Sequence, residues 1–236
     1  MKALVIIPAY NEQESIMETI QDLDAYYPQI DRIVINDDSK DHTREILEQF
    51  HINHINLPVN LGIGGGVQTG YLYAFENGYD IAIQMDGDGQ HCACEIGKIM
   101  QPILNGEADA VIGSRFINKV GFQSTPLRRM GIHFLSNIIW CCTGKKIYDV
   151  TSGFRAVNRR FIEIFSTEYA QDYPEPEAIV TISKYKGIIC EVPVIMRERK
   201  NGESSIRSLH SLYYMIKVSL AIVFRKINRS ERSKKT

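Results

Sequence analysis

The chain has 236 residues, a formal net charge of −1 from 27 Lys plus Arg against 28 Asp plus Glu, and 44% hydrophobic residues. That balance fits a globular protein with a full core and excludes disorder, a collagen-like repeat and a nucleic-acid binder that uses its whole surface. No apolar run reaches the ~18–20 residues that span a bilayer, and the apolar start is too short for a signal-peptide core, so the first expectation is a soluble, cytoplasmic chain.

Residues 3–7 are continuously apolar, as in a strand buried on both faces. Asn11 and Glu14 then form a capping pattern ahead of Ile16, Ile20 and Leu23 at helical spacing. A second apolar run, 33–35, ends in Asn36, Asp37 and Asp38, and Ser39 or Asp41 can cap the helix that carries Ile46, Leu47 and Phe50. A short strand near Ile55 leads to a glycine-rich loop, 62–70, and then a helix to Asn77. A third strand, 81–85, ends in Asp86-Gly87-Asp88, followed by a helix over 95–104 and a strand over 110–112. This alternation is the mark of a mostly parallel α/β sheet flanked by helices. The second half is less regular: helix over 131–143, strand over 152–158, helix over 159–165, a helix opened by Pro174 and Pro176, strand over 188–194, a polar loop over 200–205 and a last helix over 207–224.

In open α/β sheets ligands bind beyond the carboxyl ends of the strands, so residues 8–12, Asp37–Asp38 and Asp86–Asp88 should meet in one crevice. Alternate carboxylates after a strand suit a hard divalent cation that bridges phosphates. The glycine-rich stretch has neither the Lys of a phosphate-binding P-loop nor the place and spacing of a dinucleotide fingerprint, which disfavours ATP hydrolysis and NAD binding. Its glycines are better read as permitting close backbone approach to a ligand or a neighbouring helix. Cys92, Cys94, Cys141, Cys142 and Cys190 are an odd, irregular set, expected as free thiols.

Seven segments resemble family 2 glycosyltransferases in their order: VIIPAYNEQESI (5–16), VINDDSKDHT (34–43), NLGIGGGVQTGY (60–71), QMDGDGQH (84–91), GSRF (113–116), DVTSGFRAVNR (149–159) and RKNGESSI (199–206). The likeness is to the branch acting on polyprenyl phosphates, such as dolichol-phosphate mannosyltransferases. It implies a GT-A fold, a Rossmann-like sheet with a D-x-D metal site, and inverting transfer from a nucleotide-diphosphate sugar. By that resemblance Pro8, Ala9, Tyr10, Glu12 and Asp37 line the nucleotide. Asp86, Gly87, Asp88 and Gln90 hold the diphosphate with Mg²⁺ or Mn²⁺, through Asp86, Asp88 and Gln90. Arg115 holds phosphate, and Arg128, Arg129, Asp149 and Arg199 lie on the acceptor side. Asp38 stands where Gly is common in the family, and Ser205 where the dolichol-phosphate branch often has Lys.

A hydroxyl acceptor needs a general base, for which Glu175 and Glu177 are candidates beside Asp149; a lipid phosphate is already ionised and needs cations such as Arg128, Arg129 and Arg199. The last 12 residues carry six basic residues and one acid, a net +5, after an amphipathic stretch over 212–224. Such a pair suits peripheral attachment to an anionic membrane surface. The sequence therefore leads to one GT-A domain over 1–206, with a nucleotide-sugar and metal half (1–115) and an acceptor half (116–206), followed by an amphipathic helix and basic tail (207–236). The expected enzyme moves a sugar, from a UDP-sugar before a GDP-sugar, to a polyprenyl phosphate at the cytoplasmic membrane face, without nucleic acid. Extension of a surface polysaccharide at a glycan hydroxyl, and a non-catalytic nucleotide-sugar-binding or scaffold protein, are the alternatives.

Overall fold

The structure, a computed structural model, describes residues 1–198 apart from the side chain of Leu127. Arg199, Ser205, the loop over 200–205, the helix over 207–224 and the basic tail lie outside the described residues.

The chain runs β1 (Ala3–Ala9), α1 (Ile16–Tyr26), β2 (Asp31–Asn36), α2 (Thr43–Gln49), β3 (His54–Asn56), α3 (Gly62–Glu76), β4 (Ile81–Gln84), a 3₁₀ turn (Ala93–Glu95), α4 (Ile96–Leu104), β5 (Ala110–Ser114), α5 (Pro126–Thr143), β6 (Arg155–Asn158), α6 (Arg159–Thr167), α7 (Pro174–Lys184) and β7 (Ile189–Pro193). One seven-stranded sheet has the order β3-β2-β1-β4-β6-β5-β7. All pairings are parallel except those of β6, which runs antiparallel to β4 and β5. This is the mixed α/β sheet flanked by helices that the sequence led us to expect.

β1 has an apolar residue at every position because both its faces are covered. Val5, Ile7 and Ala9 pack with Ile16, Ile20 and Leu23 of α1 and Ile96 and Ile99 of α4. Leu4 and Ile6 point the other way, to Val67 and Tyr71 of α3 and Phe161 and Phe165 of α6. A third cluster joins Ile112 of β5 to Ile132, Leu135 and Ile139 of α5 and Ile179 of α7.

Four expectations need correction. The glycine-rich stretch is not a loop but the first half of α3. The backbone approach it permits is to protein: a Cβ on Gly64 would lie 2.2 Å from the Ala170 carbonyl, and one on Gly70 2.2 Å from Ile6 Cγ2. Close seating of the helix offsets the ~0.5–1 kcal/mol that each glycine loses against alanine. Second, Asn11 is not a cap. It takes a left-handed conformation (φ 56°), which Asn tolerates, and its Oδ1 accepts the Lys40 N–H at 2.8 Å, tying the β1 loop to the β2 loop. Third, the strand expected over 152–158 begins only at Arg155, because residues 149–152 turn to meet other groups. Fourth, Cys92 and Cys94 are joined in a disulfide across the 3₁₀ turn, their Cα atoms 5.2 Å apart, within ordinary disulfide range; Cys141, Cys142 and Cys190 are free. Among the described residues no helix is long and apolar enough to cross a membrane.

Candidate active site

The carboxyl ends of β1, β2 and β4 are tied to one another by backbone. The Gly87 N–H donates to the Pro8 carbonyl at 3.3 Å and the Asp37 N–H to the Ala9 carbonyl at 2.9 Å. Three segments far apart in sequence are thus held together, as expected from parallel topology. Pro8 and Ala9 are buried in this floor and Tyr10 is exposed at its rim. The Glu12 carboxylate accepts from Ser15 Oγ at 2.6 Å, while its backbone N–H donates to Thr43 Oγ1 at 2.9 Å.

Asp37 is buried, and its Oδ1 accepts the Leu61 N–H at the start of α3 at 2.7 Å. Burial raises its pKa, against the lowering effect of those helix N–H groups. Its carboxylate therefore positions the α3 N-terminus as well as facing the site expected for nucleotide.

Asp86 and Asp88 follow β4. Asp86 is held on three sides. Gln84 Nε2 donates to its Oδ1 at 3.3 Å, its own N–H donates to His91 Nδ1 at 3.0 Å, and His91 Nε2 lies 3.7 Å from its Oδ2. Buried His91 stacks on Phe154 with ring centroids 4.9 Å apart, which fixes the imidazole. Behind the carboxylate sits Gly153: a Cβ there would fall 2.7 Å from Asp86 Oδ2 and 2.9 Å from Oδ1. Asp88 Oδ1 accepts the Gln90 N–H at 3.0 Å, and Gly89 takes the left-handed turn (φ 75°). Gln90 itself is turned toward Arg197, whose N–H donates to the Gln90 carbonyl at 2.8 Å.

The donor set fits a divalent ion that arrives with a ligand. Asp86 keeps a third of its side chain exposed, and Gln84 Oε1 is buried without a hydrogen-bond partner. Among the described residues no three acidic, His or Cys side chains converge as a cage made by protein alone. Two carboxylates are what Mg²⁺ or Mn²⁺ needs when phosphate oxygens and water complete its shell.

Arg115 follows β5 directly and pairs with Asp149 from the turn before β6. Arg115 Nε and Nη2 donate to the two Asp149 oxygens, each at 2.7 Å, and the Arg115 backbone N–H adds a third bond at 3.1 Å. Asp149 is 0% exposed and Arg115 7%. Burial works against the Arg115 charge, but the bonds and charge of Asp149, with a contribution from Asp86, outweigh it and raise its pKa. Glu191 on β7 accepts the Tyr148 and Asp149 N–H groups, both at 2.8 Å, and so fixes this turn from behind. Arg155 closes it: its guanidinium donates to the carbonyls of Val150 (3.1 Å), Ser152 (2.6 Å) and Glu175 (2.6 Å). One buried side chain therefore ties the Asp149 turn to the start of α7.

Glu175 is half-buried there, and Glu177, one step further, is buried. Burial of the Glu175 carboxyl raises its pKa, Asp86 raises it further, and Arg155 and Arg128 oppose this. The Glu175 carboxyl thus feels the charges of both Asp86 and Arg128. Arg128 and Arg129 are exposed in the first turn of α5, which Thr125 caps by accepting the Arg128 N–H at 3.4 Å and Pro126 pre-shapes.

The sequence reading gave no site role to Gln84, His91, Gly153, Arg155 or Glu191. The signal for two of them was present: Gln84 and Arg155 are polar residues inside apolar strand segments, where an unexplained polar group marks a site.

The sequence model of glycosyl transferase family 2 matches residues 4–165. The chain belongs to glycosyl transferase family 2. It is a glycosyltransferase with a GT-A fold. This glycosyltransferase is 34% identical over 211 residues to the UDP-N-acetylglucosamine–dolichyl-phosphate N-acetylglucosaminyltransferase of Methanococcus voltae, covering 80% of this chain and 83% of that one. It is 28% identical to the undecaprenyl-phosphate mannosyltransferase of Micrococcus luteus, over 87% of this chain and 88% of the relative. Glucosyl-3-phosphoglycerate synthase of Mycobacterium tuberculosis, solved with Mn²⁺ and UDP, superposes with a TM-score of 0.70 at 20% identity, covering 95% of this chain and 79% of that one. With a family 2 assignment, the non-catalytic alternative falls away.

Proposed function

We propose that this glycosyltransferase moves a sugar from a UDP-sugar to a polyprenyl phosphate, with inversion, at the cytoplasmic face of the membrane. The observation that carries the reading is the crevice itself: Asp37, Asp86 and Asp88 line its floor, Arg115 stands at the end of the donor half, and cations Arg128 and Arg129 belong to the acceptor half. The relatives named for polyprenyl-phosphate acceptors support that choice of acceptor.

In the proposed reaction a phosphate oxygen of the lipid attacks the anomeric carbon from the face opposite the leaving group. The bond from that carbon to the β-phosphate oxygen breaks, and the nucleoside diphosphate leaves with the bonding pair. Asp86 and Asp88 would hold Mg²⁺ or Mn²⁺, which supplies neutralisation of the diphosphate charge. Asp86 is kept in one rotamer by Gln84, His91 and Gly153, so it need not reorganise as charge develops. Asp149 orients Arg115 rather than acting as a base, since Arg115 engages both its oxygens. Arg128 and Arg129 bring positive charge to the acceptor phosphate. No proton must be removed, because a phosphate monoester is already ionised near neutral pH.

A second reading rests on Glu175. Its raised pKa brings it nearer the working range of a general base, as a hydroxyl acceptor would need.

The test is transfer by the full chain of label from UDP-N-acetylglucosamine, other UDP-sugars and GDP-mannose, with Mg²⁺, with and without polyprenyl phosphate. Label entering the organic phase only with the lipid and a UDP-sugar is the expected result. Label appearing only as free sugar or on a glycan would overturn the acceptor assignment. Asp88→Ala should abolish transfer; retained transfer would refute the metal role.

A further inference from the structure

The Cys92–Cys94 disulfide lies just beyond Gln90 and His91 and takes no part in the proposed chemistry. As a staple it would do little. Its cysteines are two positions apart, and closing so short a loop removes little entropy from the unfolded chain. Cys141, Cys142 and Cys190 stay free, unlike the cysteines of a chain that relies on cross-links for stability. The surroundings of the bond are those of a reactive pair. Arg197 Nη2 lies 3.3 Å from Cys92 Sγ and 2.8 Å from Asp22 Oδ1, and Asp22 Oδ2 accepts the N–H of Ala93, between the two cysteines, at 2.8 Å. Cys92 is 7% exposed whereas Cys94 is half-buried, so Cys94 is the sulfur open to an incoming thiolate. Attack there makes Cys92 the leaving sulfur, and the guanidinium beside it stabilises the departing thiolate. The neighbours of Cys92 lead back to the site. His91 accepts the Asp86 N–H and forms a β-bridge to Met196, and the Arg197 N–H donates to the Gln90 carbonyl at 2.8 Å. The disulfide thus sits where the loop after β4 is joined to the segment after β7.

We propose that Cys92–Cys94 is a thiol–disulfide switch, opened by a small thiol such as glutathione, whose closed form holds the loop that carries Asp86. A reductant thiolate attacks Cys94 Sγ, the Sγ–Sγ bond breaks, and its electron pair leaves on Cys92 Sγ. A second reductant thiolate attacks the reductant sulfur of the mixed disulfide, and Cys94 leaves as thiolate. Two reductant thiols become one disulfide, and their two protons end on Cys92 and Cys94. Unbonded sulfurs part to van der Waals distance. Cys92 keeps Arg197 beside it, while Cys94 moves outward with its 3₁₀ turn, whose hydrogen bonds have the poorer geometry. The Ala93 N–H leaves Asp22, and His91, next in the chain, loses the fixed anchor from which it holds Asp86. At the proposed cytoplasmic face a disulfide is of the transient, redox-sensing kind. The consequence for metal rests on the role proposed for Asp86; the chemistry of the sulfurs does not.

The test equilibrates the full chain with oxidised or reduced glutathione, without denaturant. Alkylation and intact mass should count three free thiols in the oxidised form and five in the reduced form. On reduction, hydrogen exchange should quicken in residues 86–97 and 194–197 and stay unchanged in β1 and α3. Mn²⁺, titrated in the presence of UDP by electron paramagnetic resonance, should bind about tenfold more weakly to the reduced form. Cys94→Ser, which leaves buried Cys92 in place, should match the reduced form in either glutathione mixture. Five free thiols in oxidised glutathione, or a bond that opens only in denaturant, would refute the switch. Faster exchange spread over the whole sheet would make the bond a staple and refute it too. Unchanged exchange over 86–97, or equal Mn²⁺ affinity in two forms that both bind the ion, would break the link to Asp86 and overturn the proposal. Absence of Mn²⁺ binding from both forms would instead overturn the metal role of Asp86, with the thiol count and the exchange still deciding the switch.

Discussion

Replacing Asp149 by Asn is the sharpest perturbation of the site's architecture. Asn keeps the shape but loses the charge, and it turns an amide N–H₂ toward one of the two guanidinium nitrogens now bonded at 2.7 Å. Arg115, 7% exposed, is left as a buried cation facing a donor. Breaking a buried pair in this way costs about 3–5 kcal/mol, because the desolvation of the surviving charge is no longer compensated. For a chain of this length 1 kcal/mol corresponds to about 2–4 °C in melting temperature, so the expected drop is about 6–20 °C. Urea unfolding followed by far-ultraviolet circular dichroism measures the loss, and thermal melts check it. Arg115→Met with Asp149→Leu, which removes both charges, should be more stable than Asp149→Asn alone. Transfer should fall in Asp149→Asn together with stability, since Arg115 loses its anchor. A variant within about 1 kcal/mol of the parent would refute the energetic reasoning. Lost transfer with intact stability would show Asp149 acting on the substrate.

Gly153→Ala places a methyl 2.7 Å from the end of the Asp86 side chain rather than against backbone, so it should cost less stability than a change that meets backbone. By displacing the Asp86 carboxylate it should lower metal affinity or transfer about 10- to 100-fold, read by titrating Mg²⁺ in the transfer assay. Within α3, Gly64→Ala meets unyielding backbone at 2.2–2.5 Å and should destabilise by about 1–3 kcal/mol or more, whereas Gly66→Ala, with nothing nearer than 3.9 Å, should stabilise by about 0.5–1 kcal/mol; denaturant midpoints separate the two. Glu175 has a raised folded-state pKa, so its stabilising contribution is present at low pH and is lost as pH rises from about 4.3, the ordinary Glu value, through the folded value. Glu175→Gln cannot ionise, so its stability should gain on the parent across that rise in thermal melts; parallel pH profiles would count against burial as the cause.

The strands of the first half were legible because burial on both faces demands apolar runs, and a covered strand explains residues 3–7 and 81–83. Their meeting at one crevice followed from topology alone. Helix α3 was hidden because glycine carries no hydrophobic signal and reads as a breaker; its reason lies in the Ala170 carbonyl and Ile6, more than 50 residues away in either direction. The start of α5 was within reach, since Thr125 and Pro126 form an ordinary cap and first turn. The direction of β6 was not, because pairing sense depends on where a long connection returns. Asp86 and Asp88 stood out as acids after a strand, and Gln84 and His91 lie within the same stretch, but Gly153 and Phe154, which complete the setting of Asp86, come from the turn before β6. Only packing relates that turn to Asp86.

The antiparallel β6 also bears on how the protein comes to fold. It lies between β4 and β5, so the sheet is complete only when residues 155–158 have entered between strands made much earlier in the chain. A polypeptide ending at residue 115 would carry nearly all the nucleotide-side acids, yet β4 and β5 would face each other across an unfilled lane, with their ladder groups unpaired. Asp86 would lack the backbone of Gly153 at its back, and Arg115 would lack Asp149. The donor half is therefore not a module that can be lifted out, and the crevice is among the last features to exist as the chain folds.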